Sequence, residues 1–216
     1  SLTSASINTI YIEGGNGHDS IDVSLFVTDN TTILGGMGND TIYGSLGNDS
    51  VSGGLGNDVI YGRHGDDILA GGGDHDQLFG MTGQDLIYGN DGNDLLDGGS
   101  GNDALMGGDG NDSLQGGNSN DLLIGGNGTD LAWGGNGEDI LIGGRTTLEA
   151  NQLAILAILS EWNSGRSYTQ RVANLSGAGS GPRLNGSFFL SENVTVLNDA
   201  AIDRLEGGNG RDWFFA

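Results

Sequence analysis

The sequence predicts an all-β solenoid followed by a small mixed cap, and three observations carry that expectation. The first is phase. From Gly35 to Ile142 the chain is twelve nine-residue units without a slip, running from GGMGNDTIY through GGLGNDVIY to GGNGEDILI. The second is chemistry at fixed places. Place 1 is always Gly, place 6 is always Asp, and place 8 is a large aliphatic residue in eleven units and Ala132 in the other. The third is composition. Gly makes up 44 of the 216 residues and proline occurs once, at Pro182, well above the usual glycine share of about 7%. No three-residue period is present, which excludes a collagen helix. A disordered Gly/Asn/Asp-rich linker would have no reason to keep phase over such a length. Places 7 to 9 read as a short strand, with place 8 on one face and places 7 and 9 on the other.

The remaining places read as a loop that offers oxygen. Glycines at places 1, 2 and 4 permit positive φ and let carbonyl oxygens turn inward, while the Asp supplies a carboxylate. Carbonyls plus carboxylates, in a chain with no Cys, make a hard-oxygen site suited to Ca²⁺ over zinc or copper. The candidate carboxylates are Asp40, Asp49, Asp58, Asp67, Asp76, Asp85, Asp94, Asp103, Asp112, Asp121, Asp130 and Asp139. Candidate carbonyl donors are Gly35, Gly53, Gly71, Gly89, Gly98, Gly107, Gly116, Gly125 and Gly134.

These units match the pattern G-G-x-G-x-D-x-U-x and resemble the RTX calcium-binding repeats. The resemblance covers half the chain. It implies a right-handed parallel β-roll in which two successive repeats make one coil, so that loops alternate between two edges. One edge would carry Asp40, Asp58, Asp76, Asp94, Asp112 and Asp130, and the other Asp49, Asp67, Asp85, Asp103, Asp121 and Asp139. Six loops per edge leave five gaps each, so about ten calcium ions are expected. The resemblance also implies export through type I secretion machinery, folding outside the cell, and a secreted or cell-surface location.

In chain order, residues 1–34 read as the start of the roll within a first unit spanning 1–144. Ser1–Asn8 is polar and shows no signal peptide, which points to a fragment of a longer protein. Asn8–Glu13 alternates like a strand, and GGNGHDSID from Gly14 to Asp22 is a further repeat. Gly14 and Gly35 lie 21 residues apart, so Ile21–Leu34 should form a longer first coil, strand-like at Ile21, Val23, Leu25 and Val27. Asp19 should stack below Asp40 and add a site.

Charge is concentrated in the repeats. The whole chain carries −22, with seven Arg and no Lys. Between Gly35 and Ile142 there are 17 Asp, one Glu and one Arg, a net of −17, whereas Arg145–Glu206 nets −1. Such an acidic chain should bind neither nucleic acid nor anionic membrane. The empty repeat block should repel itself, so that metal binding becomes folding free energy.

A second unit, 145–216, is expected to cap the roll. Thr146-Thr147-Leu148-Glu149 reads as a capping box that opens a helix over 147–163. Its seven apolar residues, Leu153–Leu159, are too few to span a membrane. A shorter helix is expected from Tyr168 to Leu175, a loop at Ser176–Pro182, and strands at Ser187–Leu190 and Val194–Leu197. The repeat then resumes in NDAAIDRLE, with Asp203 at place 6, and GGNGRDWFF, with Asp212. The ending Trp213-Phe214-Phe215 resembles the acidic-then-aromatic tail of type I secreted proteins, and reads equally as a last core strand.

Parity predicts where the helix goes. On one sheet the outward places become apolar toward the C-terminus, at Leu86, Tyr88, Ala104, Met106, Leu122, Ile124, Ile140 and Ile142. A stripe this long should not face water, and the helix is the nearest cover.

No catalytic set is found. His18, His64 and His75 fall at loop places with neither H-E-x-x-H nor a Ser/His/Asp arrangement, and read as solvent-facing. The acidic Gly-rich loops lack the lysine of a phosphate loop. The expected function is therefore an extracellular calcium-binding module, not an enzyme, disordered without Ca²⁺ and monomeric. Two alternatives stand beside it: a module of a secreted polysaccharide-modifying enzyme or protease with its catalytic domain elsewhere, and an adhesin-like surface-binding roll. Place 3 runs Met37, Leu46, Leu55, His64, Gly73, Thr82, Asp91 and forms no recognition ladder. The second edge should be the weaker one, because Ser45, Arg63 and Met81 stand at place 2, where positive φ strains a side chain.

Overall fold

The computed structural model of the chain describes residues 9–23, 29–146, 151–176, 196–197 and 203–215. Two parallel sheets face each other across a single-file core. The first has nine strands: Thr9–Asn16, Asn30–Met37, Ser50–Leu55, Ile68–Gly73, Leu86–Asp91, Ala104–Asp109, Leu122–Asn127, Ile140–Ile142 and Trp213–Phe215. The second has eight: Ser20–Asp22, Thr41–Tyr43, Val59–His64, Gln77–Thr82, Leu95–Ser100, Ser113–Asn118, Leu131–Asn136 and Arg204–Asn209. The chain alternates between them, so the fold is the parallel β-roll that the resemblance implies.

Most strands are six residues long, twice the three that places 7 to 9 alone suggest. Pairing runs on through places 1 to 3 of the next unit, as when Gly54 faces Gly72 and Leu55 faces Gly73. The step between paired strands is one coil of 18 residues: Ser50 faces Ile68, and Ile68 faces Leu86. At the first coil Thr9 faces Asn30 and Ser20 faces Thr41, the longer step of 21 that the spacing of Gly14 and Gly35 requires. Residues 24–28 of that coil, with Leu25 and Val27, lie outside the described residues.

Place 8 makes the core. Ile33, Ile42, Val51, Ile60, Leu69, Leu78, Ile87, Leu96, Leu105, Leu114, Leu123, Ala132 and Leu141 form one cluster, each 2% exposed or less. One apolar side chain per repeat is a thin core, and burial of each contributes on the order of 1.5–3 kcal/mol.

The two outer faces differ. On the first sheet Leu86, Ala104, Met106, Leu122, Ile124, Ile140 and Ile142 are buried in a second cluster with Ile155, Ile158, Leu159, Trp162, Leu175 and Phe215. The helix covers the stripe, as parity requires. It lies on the flank of the roll, and the strands Arg204–Asn209 and Trp213–Phe215 then extend both sheets by one more coil. On the second sheet the outer place 9 carries Tyr43, Tyr61 and Phe79, stacked at 4.8 and 4.9 Å. Such ring pairs add about 0.5–1.5 kcal/mol each. Place 3 has no ladder from Met37 to Asp91, but farther on it carries one that the sequence reading does not expect: Asn118 Nδ2 donates to Ser100 Oγ at 3.3 Å, Asn136 Nδ2 to Asn118 Oδ1 at 3.0 Å and Asn209 Nδ2 to Asn136 Oδ1 at 2.8 Å.

The first helix, α1, spans Gln152–Trp162; residues 147–150 of the helix expected over 147–163 lie outside the described residues. Asn151 is its N-cap, its side-chain oxygen accepting from Ala154 N at 3.2 Å. Thr146, the cap expected from the sequence, is instead committed to a strand, Arg145–Thr146, antiparallel to Val196–Leu197. The second helix, α2, is Tyr168–Leu175 as expected, closed by a capping box between Ser167 and Gln170. The rest of the expected loop, and the strand at Ser187–Leu190, lie outside the described residues.

One residue ties both helices to the roll. Glu138 accepts from Arg171 and from Arg211, and the Trp162 indole N–H donates to the Glu138 carbonyl. The Arg171 guanidinium sits 4.7 Å from the centre of the Trp162 ring, and Trp162 stacks on Trp213 at 5.9 Å. Burial opposes ionisation of Glu138, but hydrogen bonds and charge from Arg171 and Arg211 outweigh it and hold the carboxyl below its usual range.

In saturating calcium, Leu105→Ala should destabilise the fold by about 2–5 kcal/mol. Leu95→Ala, at an outward position 38% exposed, should have a much smaller effect. Chemical denaturation checks the difference, and equal losses would contradict a single-file core.

Candidate metal centre

The loops of each edge are held by a ladder of carboxylates. Asp40 N donates to Asp58 Oδ1 at 2.7 Å, Asp58 N to Asp76 Oδ1 at 2.8 Å, and Asp76 N to Asp94 Oδ1 at 2.8 Å. The series continues through Asp112 and Asp130 to Asp203, and begins with Asp19 N on Asp40 Oδ1. The other edge runs from Asp49 through Asp67, Asp85, Asp103, Asp121 and Asp139 to Asp212. The two-edge alternation, the stacking of Asp19 beneath Asp40, and the places of Asp203 and Asp212 are all as the sequence reading has them.

Most rungs use one carboxylate oxygen and leave the other, whereas Asp49 Oδ2 accepts from Ser45 N at 2.6 Å. Oδ2 of Asp19, Asp40, Asp58, Asp67, Asp76, Asp85, Asp94, Asp103, Asp112, Asp121, Asp130 and Asp139 is buried with no hydrogen-bond partner. A buried carboxylate oxygen left unsatisfied is costly, and here the situation recurs on every coil. The free oxygen faces place 1 of its own unit. A Cβ added to Gly35 would lie 2.5 Å from Asp40 Oδ2 and 2.5 Å from the carbonyl oxygen of Gly53, one coil on. The same pair of oxygens converges at Gly53, Gly89, Gly98, Gly107, Gly116, Gly125 and Gly134, and at Gly71 the carboxylate of Asp76 closes in. The carbonyls of Gly62, Gly80, Gly143 and Gly207 occupy the same cradle, although the sequence reading does not select them. Phase alone identifies the first three.

Places 2 and 4 need glycine for a different reason. Gly36 has φ 119° and Gly38 φ 112°, and a Cβ on either would fall 1.9 and 2.0 Å from the carbonyl of the equivalent glycine one coil below. Where the sequence departs, Arg63, Asp74, Met81, Asn90 and Ser119 are nevertheless held at positive φ, and Ser45 is not; each of the five costs on the order of 1 kcal/mol. The Arg63 guanidinium turns away from the cradle, its Nη1 3.9 Å from Asp22 Oδ1.

Place 5 builds an outer rail. Asn57 N donates to Asn39 Oδ1, His75 N to Asn57 Oδ1, and Asn111 N to Asn93 Oδ1. His18 and His75 are exposed, as expected, but they also serve as rungs, each Nδ1 accepting at 2.8 Å, from Asn39 N and Asn93 N.

Among the described residues no three His, Cys, Asp or Glu side chains converge as a metal cluster. The carboxylates stand one per loop, with carbonyls between them, so a cation here must take backbone oxygen as well. That donor set, hard and wholly oxygen, fits Ca²⁺. Burial pushes Asp58 and Asp85 up to about 6, Asp76, Asp103, Asp112 and Asp139 up to about 7, Asp67 up to about 8 and Asp121 up to about 9. The N–H of the coil below pulls the other way, and nearby carboxylates add to the rise. The loops need positive charge, supplied as protons or as a cation.

Stacked loops with one carboxylate each and converging carbonyls define a cation-binding β-solenoid. The model of the RTX calcium-binding nonapeptide repeat matches residues 28–60, 44–78, 71–105, 97–132, 115–145 and 198–216, more than half the chain. The chain belongs to that family and is a calcium-binding module. No curated protein matches it.

Protons and calcium should compete for these oxygens. Because the folded carboxylates titrate above the usual 3.8, the stability they contribute to the metal-free fold is present below that value. It is lost as pH rises through their raised range. The metal-free fold should therefore lose stability as pH rises from about 5 to about 9, and the calcium concentration at half-folding should not fall over that range, because the aspartates of an unfolded chain are already ionised there. Calcium titrations followed by circular dichroism at several pH values check this, and a midpoint that falls steeply as pH rises would contradict it.

Proposed function

We propose that this chain is an extracellular folding module that stays disordered until it meets calcium outside the cell, after export through a type I system. The observation that carries the reading is the repeated buried Oδ2 without a partner, set in a repeat block of net charge −17. High charge and a thin core favour disorder when the charge is uncompensated. Calcium would be held by the place-6 carboxylates on both ladders, including Asp19, Asp203 and Asp212, and by the place-1 carbonyls converging on them. The bound ion supplies charge neutralisation and cross-links successive coils, and the aspartates orient its ligand shell through their ladder hydrogen bonds. The terminal Trp213–Phe215 strand pairs with Ile140–Ile142, so a secretion signal there would be legible only while the chain is unfolded.

With a chelator, circular dichroism should show coil, and millimolar Ca²⁺ should convert it to β structure with ten or more ions bound. Asp58→Ala should raise the calcium midpoint. A chelated chain with the spectrum of the loaded one would sink the proposal.

One observation favours a second reading, a surface-binding roll. The outer face of the second sheet has an open groove of about 610 Å³ with Asp97, Gln115, Asn118, Asn136 and Trp133 around a glycine floor. Trp133 is 47% exposed. An exposed indole beside amides that both donate and accept suits a neutral glycan. Titration with soluble neutral oligosaccharides should show binding that Trp133→Ala removes, and no binding in the calcium-loaded chain would discard it.

A further inference from the structure

We infer that the first rung of the second edge, built from Thr31, Ser45 and Asp49, is a hydrogen-bonded clasp that holds no calcium, so that the metal sites of that edge begin at Asp67. This rests on the calcium reading above. Asp49 is 3% exposed, as buried as its counterparts, yet its Oδ2 is not left free. Ser45 N donates to Oδ2 at 2.6 Å, while Thr31 N and Thr31 Oγ1 both donate to Oδ1 at 2.8 Å. Ser45 Oγ lies 2.9 Å from the same Oδ1 and shares its single proton with the Asp29 carbonyl at 3.1 Å. Hydrogen bonds from several donors stabilise a carboxylate's charge without a cation.

The backbone agrees. Among the described non-glycine residues, place 2 is at positive φ in Arg63, Met81 and Asn90. Ser45 is not, and its N–H is the one that reaches Oδ2. Its hydroxyl in turn accepts from Gly47 N at 3.0 Å, so the whole loop is closed by local hydrogen bonds. The rung beneath is also incomplete as a metal site. Thr32 faces Ser50 in the ladder, which puts Thr31, not an aspartate, under Asp49. The gap below Asp49 thus lacks a lower carboxylate, and the gap above it has its lower carboxylate already satisfied. A hydroxyl pair stands in for the ion, giving the edge a rung that forms before any metal arrives.

The test counts calcium. Native mass spectrometry of the full chain, freed of unbound metal, should show Asp49→Asn with the wild-type number of ions and Asp67→Asn with at least one fewer. Ser45→Gly, which restores the repeat sequence GGLGND, should bind one ion more. Anomalous scattering from crystals of the unaltered chain should place peaks between the Asp67 and Asp85 loops and none against Asp49. An ion lost from Asp49→Asn, an unchanged count in Ser45→Gly, or a peak at Asp49 would overturn the clasp. A wild-type chain that binds no calcium at all would overturn the proposed function itself.

Discussion

The fold depends on dividing each carboxylate between two tasks. One oxygen of a ladder aspartate such as Asp58 accepts the N–H of the aspartate one coil below, and the other is turned inward toward the carbonyl of a glycine one coil above, with Asp49 the exception. The first task sets the spacing of coils, and the second concentrates negative charge in a desolvated line. Neither sheet can be completed without the loops, because every strand enters and leaves through one. A thin aliphatic core closes the two sheets beside a line of buried like charge. In the proposed function it is this loop chemistry that decides whether the strands pair.

The helices answer a separate need. The first sheet presents apolar side chains on both faces over its C-terminal half, and only one face is occupied by the core. Ile155, Ile158, Leu159 and Trp162 occupy the other. Their attachment is polar at its centre: Glu138, at a loop place filled most often by Asn, holds Arg171 and Arg211 together. The second sheet has no such cover over its described residues, and its outer face mixes aromatic and polar side chains with the exposed Leu95 and Leu131.

The roll was legible because its information is local and periodic. Phase identifies the strands, the inward aliphatic place, the two edges and the ladder partners, since each follows from counting by nine or eighteen. Parity was enough to say which sheet the helix covers. What escaped was set by distant contacts. Thr146 has the sequence of an N-cap, but Val196 recruits it into a strand and Asn151 takes the cap. The role of Glu138 depends on partners 33 and 73 residues away. Ser45 could be marked as a departure from the repeat. Whether it would endure positive φ, as Arg63 does, or escape it depended on Thr31 lying beneath.

The last coil is joined to the one before it across an excursion. Asp130 and Asp203 are 73 residues apart, as are Asp139 and Asp212, yet their ladder bonds of 3.0 Å match those between neighbours 18 apart. Chain connectivity is therefore almost irrelevant to the stack. Closing the longer loop costs only about 1 kcal/mol more in entropy, because that cost grows with the logarithm of length. One hydrogen bond of the ladder offsets it. A solenoid of this kind accepts a folded passenger at any loop for a nearly fixed thermodynamic toll, and the helical segment is such a passenger, made structural by the greasy flank on which it settled.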